Sequence, residues 1–208
     1  MLIHWNQLVN YYGHEINAHR GHFHNPGQST YGLLCCRFAD EHSRLACSQG
    51  DHSEERLLQS TLWRQIEQAV QHWISFKTDH GSKAVVTLAL NRSPCHPRCV
   101  PALYNALNEL QYHYSRRFFE QWRFILACRG AYQGQVTDAG YYENSTTALD
   151  LERLDNAGWT VCVLQTNLPA AGQSFRPGEG LPPSGRALLQ TLMRKKNLSR
   201  PGIIRLDT

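Results

Sequence analysis

Two short stretches combine residue types that hold metals and move protons. His52-Ser53-Glu54 places an imidazole two positions before a carboxylate, and Ser93-Pro94-Cys95-His96-Pro97-Arg98-Cys99 supplies two thiols four positions apart. His52, Cys95 and Cys99 are zinc-type ligands, and three such ligands leave a tetrahedral ion one open position. An ion held this way lowers the pKa of its bound water to about 7 and makes it a nucleophile, with Glu54 beside it as proton carrier. That chemistry is hydrolysis. A closed structural site would need a fourth ligand. His96 is the nearest in sequence, but it lies between the cysteines next to Pro97, and closure by it would leave Glu54 without a task. Glu55 reads as a solvated carboxylate of the first helical turn.

Each half of this constellation sits at a strand-to-helix junction. Before His52, Thr30–Phe38 reads as a strand buried on both faces and Arg44–Cys47 as its returning partner. After it, Leu57, Leu58, Leu62, Ile66, Val70 and Trp73 recur at helical spacing, which predicts one helix over 55–76. Lys83–Leu90 has the composition of a central strand that Pro94 stops, and Val100–Phe119 is the next helix. A helix starting at the cysteines favours thiolates through its dipole and backbone N–H groups. If its first turn already includes Cys95, an i, i+4 pair faces one side. Trp122–Cys128 and Trp159–Leu164 are further strands. A helix over Thr147–Ala157 lies between them and permits a parallel pair.

The flanks are plainer. Trp5, Leu8, Val9, Tyr12 and Ile16 predict an N-terminal helix over about 3–17, followed by a loop over 18–29 whose His19, His22 and His24 read as solvated. Residues 169–183 are rich in Pro and Gly. Ser184 is placed to cap a last helix ending in Arg194, Lys195 and Lys196, whose charges suit a helix C-terminus better than a phosphate contact. The 208 residues suit one domain, with a core over about 28–166 and a C-terminal loop and helix over 169–208. The net charge of +4 permits a phosphate-bearing partner without requiring one. Five cysteines outside the motif, Cys35, Cys36, Cys47, Cys128 and Cys162, lie in apolar strand-like runs and read as buried thiols. No apolar run reaches membrane-spanning length and the first residues lack the order of a signal peptide, so the expectation is a cytoplasmic monomer or weak oligomer.

With these residues in view, the chain resembles the zinc-dependent cytidine deaminase superfamily, and within it the AID/APOBEC polynucleotide deaminases. The likeness rests on H-x-E and S-P-C, on Gln28–Tyr31 leading into the Leu/Cys strand, on Val85–Cys99, and on Leu151–Val161 with its Ala157-Gly158 turn. The spacing of the cysteines departs from the superfamily's two intervening residues; here there are three. The resemblance implies a three-layer α-β-α fold on a five-stranded mixed sheet with the last two strands parallel, and a Zn2+ cofactor at the sheet's edge. It implies single-stranded nucleic acid as substrate, DNA first and RNA second, with the cytosine extruded into a pocket. Thr30, Asn25, Ser93, Arg129 and Tyr132 are the substrate-binding positions it suggests. Arg92 replaces the aromatic residue expected before Ser93. Bacterial deaminase toxins are similar in motif and size, and free cytidine or adenine in nucleic acid are the alternative substrates. A module that binds nucleic acid without turnover would have little need of Glu54.

Overall fold

The protein is described by a computed structural model over residues 1–24, 29–38, 42–76, 84–112, 122–131, 145–167 and 178–206. Four near-continuous apolar runs form its centre: β2 (Tyr31–Arg37), β4 (Ala84–Leu90), β5 (Trp122–Cys128) and β6 (Trp159–Gln165). Each is buried along almost its whole length. Such runs need cover on both faces. They receive it. Trp5, Leu8, Val9 and Tyr12 of α1 (Trp5–Tyr12) pack with Leu33, Cys35, Val85, Ala89 and Ile125 on one side. On the other side Leu57, Trp63, Ile66, Leu103, Leu107, Leu154 and Leu188 pack with Leu34, Val86, Leu88, Phe124 and Val161.

The sheet has six strands in the order β1-β6-β5-β4-β2-β3. β1 (Leu2–His4), β6, β5 and β4 run parallel, while β2 is antiparallel to both β4 and β3 (Ser43–Gln49). The last two strands are therefore parallel as expected, with α6 (Ser145–Asn156) between them. The sheet is not five-stranded. The sixth strand comes from the stretch expected to be one N-terminal helix. Leu2 and Ile3 are fully buried and pair with Val163 and Leu164. The helix starts only at Trp5, where Gln7 Oε1 accepts the His4 N–H at 2.9 Å, and Gly13 at φ 110° stops it. A 3-10 turn (His14–His19) and α2 (Arg20–His24) follow, in place of the first part of the expected loop.

The helix expected over 55–76 is two, α3 (Ser53–Leu58) and α4 (Thr61–Phe76). Ser60 divides them: its hydroxyl accepts the Trp63 N–H at 3.2 Å and donates to the Leu57 carbonyl at 2.6 Å, so it caps α4 while closing α3. α5 spans Cys99–Tyr112; the remainder of the expected helix to Phe119 lies outside the described residues. α7 (Pro183–Lys195) begins after Pro182, and Ser184 is its second residue, not its cap. Its C-terminal lysines are engaged within the fold: Lys195 pairs with Glu152 of α6, and Lys196 Nζ lies 2.8 Å from Asp155 Oδ1. Cys35, Cys36, Cys128 and Cys162 are buried free thiols, but Cys47 on the edge strand β3 is exposed. No helix among the described residues is long and apolar enough to cross a membrane.

Candidate metal centre

Register places the motif. Tyr31 pairs with Gln49, Gly32 with Leu90, and Leu90 with Cys128, so the end of β3, the start of β2 and the ends of β4 and β5 share one edge of the sheet. His52 leaves β3 at this edge and the cysteines leave β4 there. In open α/β sheets ligands bind outside the carboxyl ends of the parallel strands, and the cysteines follow the carboxyl end of β4.

The three side chains meet although they are far apart in sequence. His52 Nδ1 lies 3.3 Å from Cys99 Sγ and 3.5 Å from Cys95 Sγ, and the two sulfurs are 3.4 Å apart. A tetrahedral ion with bonds of about 2.3 Å to sulfur and about 2.0 Å to nitrogen would separate its donors by about 3.5–3.8 Å, so the cluster needs only slight opening to hold one. Among the described residues no fourth ligand atom joins the group. His96, the sequence's nearest alternative, turns away: it is exposed and its Nδ1 lies 2.7 Å from Asp150 Oδ1 of α6.

Local structure explains how each ligand is aimed. His52 sits in the left-handed region at φ 53°, ψ 46°, and its carbonyl accepts the Glu55 and Arg56 N–H groups at 3.1 and 3.4 Å to start α3. That backbone costs about 1–2 kcal/mol in a residue with a Cβ, and it swings the imidazole back towards the cysteines. Cys95 is not in a helical turn with Cys99. Residues 96–98 form a wider turn closed by the Val100 N–H on the Cys95 carbonyl at 3.1 Å, and α5 begins at Cys99. Pro97 disfavours helical backbone at His96, so the first helical turn does not reach back to Cys95 and the wider turn absorbs the third intervening residue.

Glu54 lies in the first turn of α3, only 2 % exposed. Burial pushes its carboxyl above the ordinary carboxylate value, and the Cys95 sulfur adds to this; hydrogen bonds from its own backbone, Cys99 and Ser53 work the other way. The Ser53 hydroxyl donates to Glu54 Oε2 at 3.4 Å. The hydrogen bond shared with Cys99, aided by the backbone N–H groups of Cys99 and Arg98, pulls the Cys95 thiol down to about 5, while Cys99 is pushed up.

The two halves are also tied directly. Arg98 Nε and Nη2 donate to Glu55 Oε1 and Oε2 at 3.1 and 2.6 Å, a two-pronged bridge from the cysteine turn to α3. Glu55 is thus a clamp between the halves and not the free surface carboxylate the sequence suggests. Gly32 of β2 lies beneath α3 with no room for a side chain: a Cβ there would stand 2.7 Å from Leu57 Cδ1 and 3.3 Å from Ser53 Oγ.

Of the substrate positions suggested by resemblance, Arg92 and Arg129 come together in the walls of a cavity of about 200 Å³, with Asn91, Gly130 and Ser184. Arg129 Nε donates to Thr166 Oγ1 at 3.3 Å, and partial burial lowers its pKa. Ser93 is buried, its N–H on the Gly130 carbonyl at 2.8 Å. Thr30 is half-buried at the same edge, its carbonyl accepting the Gly50 N–H at 3.0 Å. Asn25 and Tyr132 lie outside the described residues. Among the described residues His19 and His22 form no second metal group: His19 Nδ1 bonds the Tyr31 hydroxyl at 2.5 Å and His22 stacks on the Tyr31 ring at 4.2 Å.

Sequence reasoning missed Asn91. Its N–H and Oδ1 bond the Tyr31 backbone at 3.1 and 2.9 Å, and its Nδ2 donates to the Ser29 carbonyl at 3.3 Å, pinning the strand before the motif to the strand after it. An asparagine directly after an apolar strand was the available signal. No family model matches the chain and no curated protein matches its sequence, so the site itself carries the functional reading.

Proposed function

We propose that this protein is a zinc-dependent hydrolase that converts cytosine to uracil in single-stranded nucleic acid, on a cytidine deaminase fold. The observation that carries the reading is an imidazole and two sulfurs within 3.5 Å of one another beside a buried glutamate. One nitrogen and two sulfur donors suit zinc better than a harder ion. When bound, zinc supplies the Lewis acidity that makes water a competent nucleophile near neutral pH.

The side chains do the rest. His52, Cys95 and Cys99 provide the donor set and leave one position open. Glu54 takes a proton from the attacking water and delivers protons to the ring nitrogen and the departing amine. Oxygen bonds to C4, the bond from C4 to the exocyclic nitrogen breaks, ammonia leaves and uracil remains in the strand. Burial of Glu54 keeps bulk water from competing for those protons. Arg92 and Arg129 line one cavity after the ends of β4 and β5, two cations suited to phosphates flanking the base. The helix α6 between parallel β5 and β6 is in keeping with a polynucleotide deaminase rather than an enzyme of free cytidine.

The test is incubation of the zinc-loaded protein with a single-stranded DNA oligonucleotide, an RNA oligonucleotide and free cytidine, reading uracil in each. Uracil in an oligonucleotide supports the proposal. Product from cytidine alone moves the substrate to the free nucleoside, and no product from any of the three overturns the enzymatic reading.

A further inference from the structure

The opposite edge of the sheet carries another cavity, of about 390 Å³, lined by Gln7, Asn10 and Tyr11 of α1, Arg37 at the end of β2, and Arg205 and Leu206 of the C-terminal stretch. Its size falls in the range of small-molecule sites, about 300–1,000 Å³. Its charge is one-sided. Arg37 pairs with Val85, and Val85 with Arg123, so the two arginines flank a residue of the α1-side core in one cross-strand row. They start about 10 Å apart, two strand spacings, and project from the same face. Arg205 is held over this row: Arg123 Nη1 donates to its carbonyl at 2.6 Å, and Gln7 Nε2 donates to the Ile204 carbonyl at 2.6 Å. Arg37 lies over the Tyr11 ring at 5.1 Å and donates to the Tyr11 carbonyl at 3.4 Å. Among the described residues none of the three arginines has a carboxylate partner, and no carboxylate lines the cavity.

Arg37 and Arg205 line one cavity with no counter-charge among the described residues, and an anion between two such guanidinium groups relieves their mutual repulsion. The walls are not only cationic. Tyr11 and Leu206 give an apolar side and Asn10 an amide at the rim. The volume is far more than the five heavy atoms of inorganic phosphate would fill. We infer that this cavity binds a phosphate ester of mononucleotide size, with Arg37 and Arg205 on the phosphate and Tyr11 and Leu206 against the rest of the molecule. None of these residues belongs to the metal centre, so the site stands whether or not the protein is a deaminase.

The experiment is isothermal titration of the full chain at low salt with adenosine 5′-monophosphate, inorganic phosphate, adenosine and a short single-stranded oligonucleotide. The monophosphate is expected to bind, phosphate more weakly, and adenosine not at all. Arg205→Gln, at an exposed position that thermal melting can show to be folded, should weaken monophosphate binding about tenfold or more, the loss of a charged hydrogen bond, and Arg37→Gln likewise. Glu54→Gln should leave it unchanged. Absence of monophosphate binding, equal binding of adenosine, indifference to Arg205→Gln, or affinity seen only with the oligonucleotide would each overturn the inference.

Discussion

Replacing Gly32 by alanine tests whether the contact between β2 and α3 sets the geometry of the metal centre. The added Cβ would stand 2.7 Å from Leu57 Cδ1, 3.1 Å from Leu90 Cδ2 and 3.3 Å from Ser53 Oγ. Leu57 and Leu90 are 2 % and 0 % exposed, so neither methyl has free space to enter. Restoring ordinary contact at 3.4 Å requires about 0.7 Å of movement at Leu57, and α3 is the element free to give, since Leu90 is fixed in the sheet. Overpacking of this kind costs about 1–3 kcal/mol. At about 2–4 °C per kcal/mol for a chain of this length, the melting temperature should fall by roughly 2–12 °C. The same shift carries Ser53 and Glu54 outward. A misplacement of about 1 Å near reacting groups costs roughly a hundredfold, so kcat/KM for uracil formation should fall by roughly tenfold or more. Thermal melting followed by circular dichroism, and uracil formed within an oligonucleotide, measure the two effects. Gly32→Ala combined with Leu57→Val, which shortens the clashing side chain, should recover activity more than stability. Wild-type melting and wild-type turnover in Gly32→Ala would refute the idea that this contact sets the site.

Three further outcomes follow from the geometry. Glu54→Gln should retain stoichiometric zinc by metal analysis while losing about two to four orders of magnitude in turnover, the contribution of a positioned acid–base group. Arg98→Ala or Glu55→Ala should weaken zinc binding about tenfold in a chelator competition, as loss of a supporting contact does, and the exchanged pair Arg98→Glu with Glu55→Arg should recover part of it. Arg129→Gln should raise KM for an oligonucleotide, whereas Lys196→Ala should leave KM unchanged and shift stability by less than about 1 kcal/mol, because Lys196 is spent on Asp155.

The central strands were legible because long apolar runs bounded by polar turns leave few alternatives. β2, β4, β5 and β6 fall within a residue or two of their expected limits. The grouping of His52, Cys95 and Cys99 was legible by chemical type, since few other roles want an imidazole and two thiols at those junctions. What escaped was decided by contacts distant in sequence. Leu2 and Ile3 fit the start of an amphipathic helix as well as a strand, and only the open edge of β6 chooses between them. The division of α3 from α4 turns on the Ser60 hydroxyl, a signal that a continuous apolar stripe conceals. Glu55 could not be told from a solvated carboxylate until Arg98 was brought across from a different junction.

The first strand has a bearing on how the chain tolerates trimming. Leu2 is held on one side by Val163 and on the other by the stretch around Ile203, its N–H and carbonyl bonded to Gly202 and Ile204 at 2.8 Å. A shortened version keeping only 28–166, the part with the family likeness, would bare the β6 edge and strip α1 from an apolar sheet face. Such a fragment would have every ligand of the metal centre and yet self-associate through its uncovered strand. The flanking segments are therefore structural partners of the half that carries the His-Cys-Cys cluster, and autonomy belongs to the longer unit.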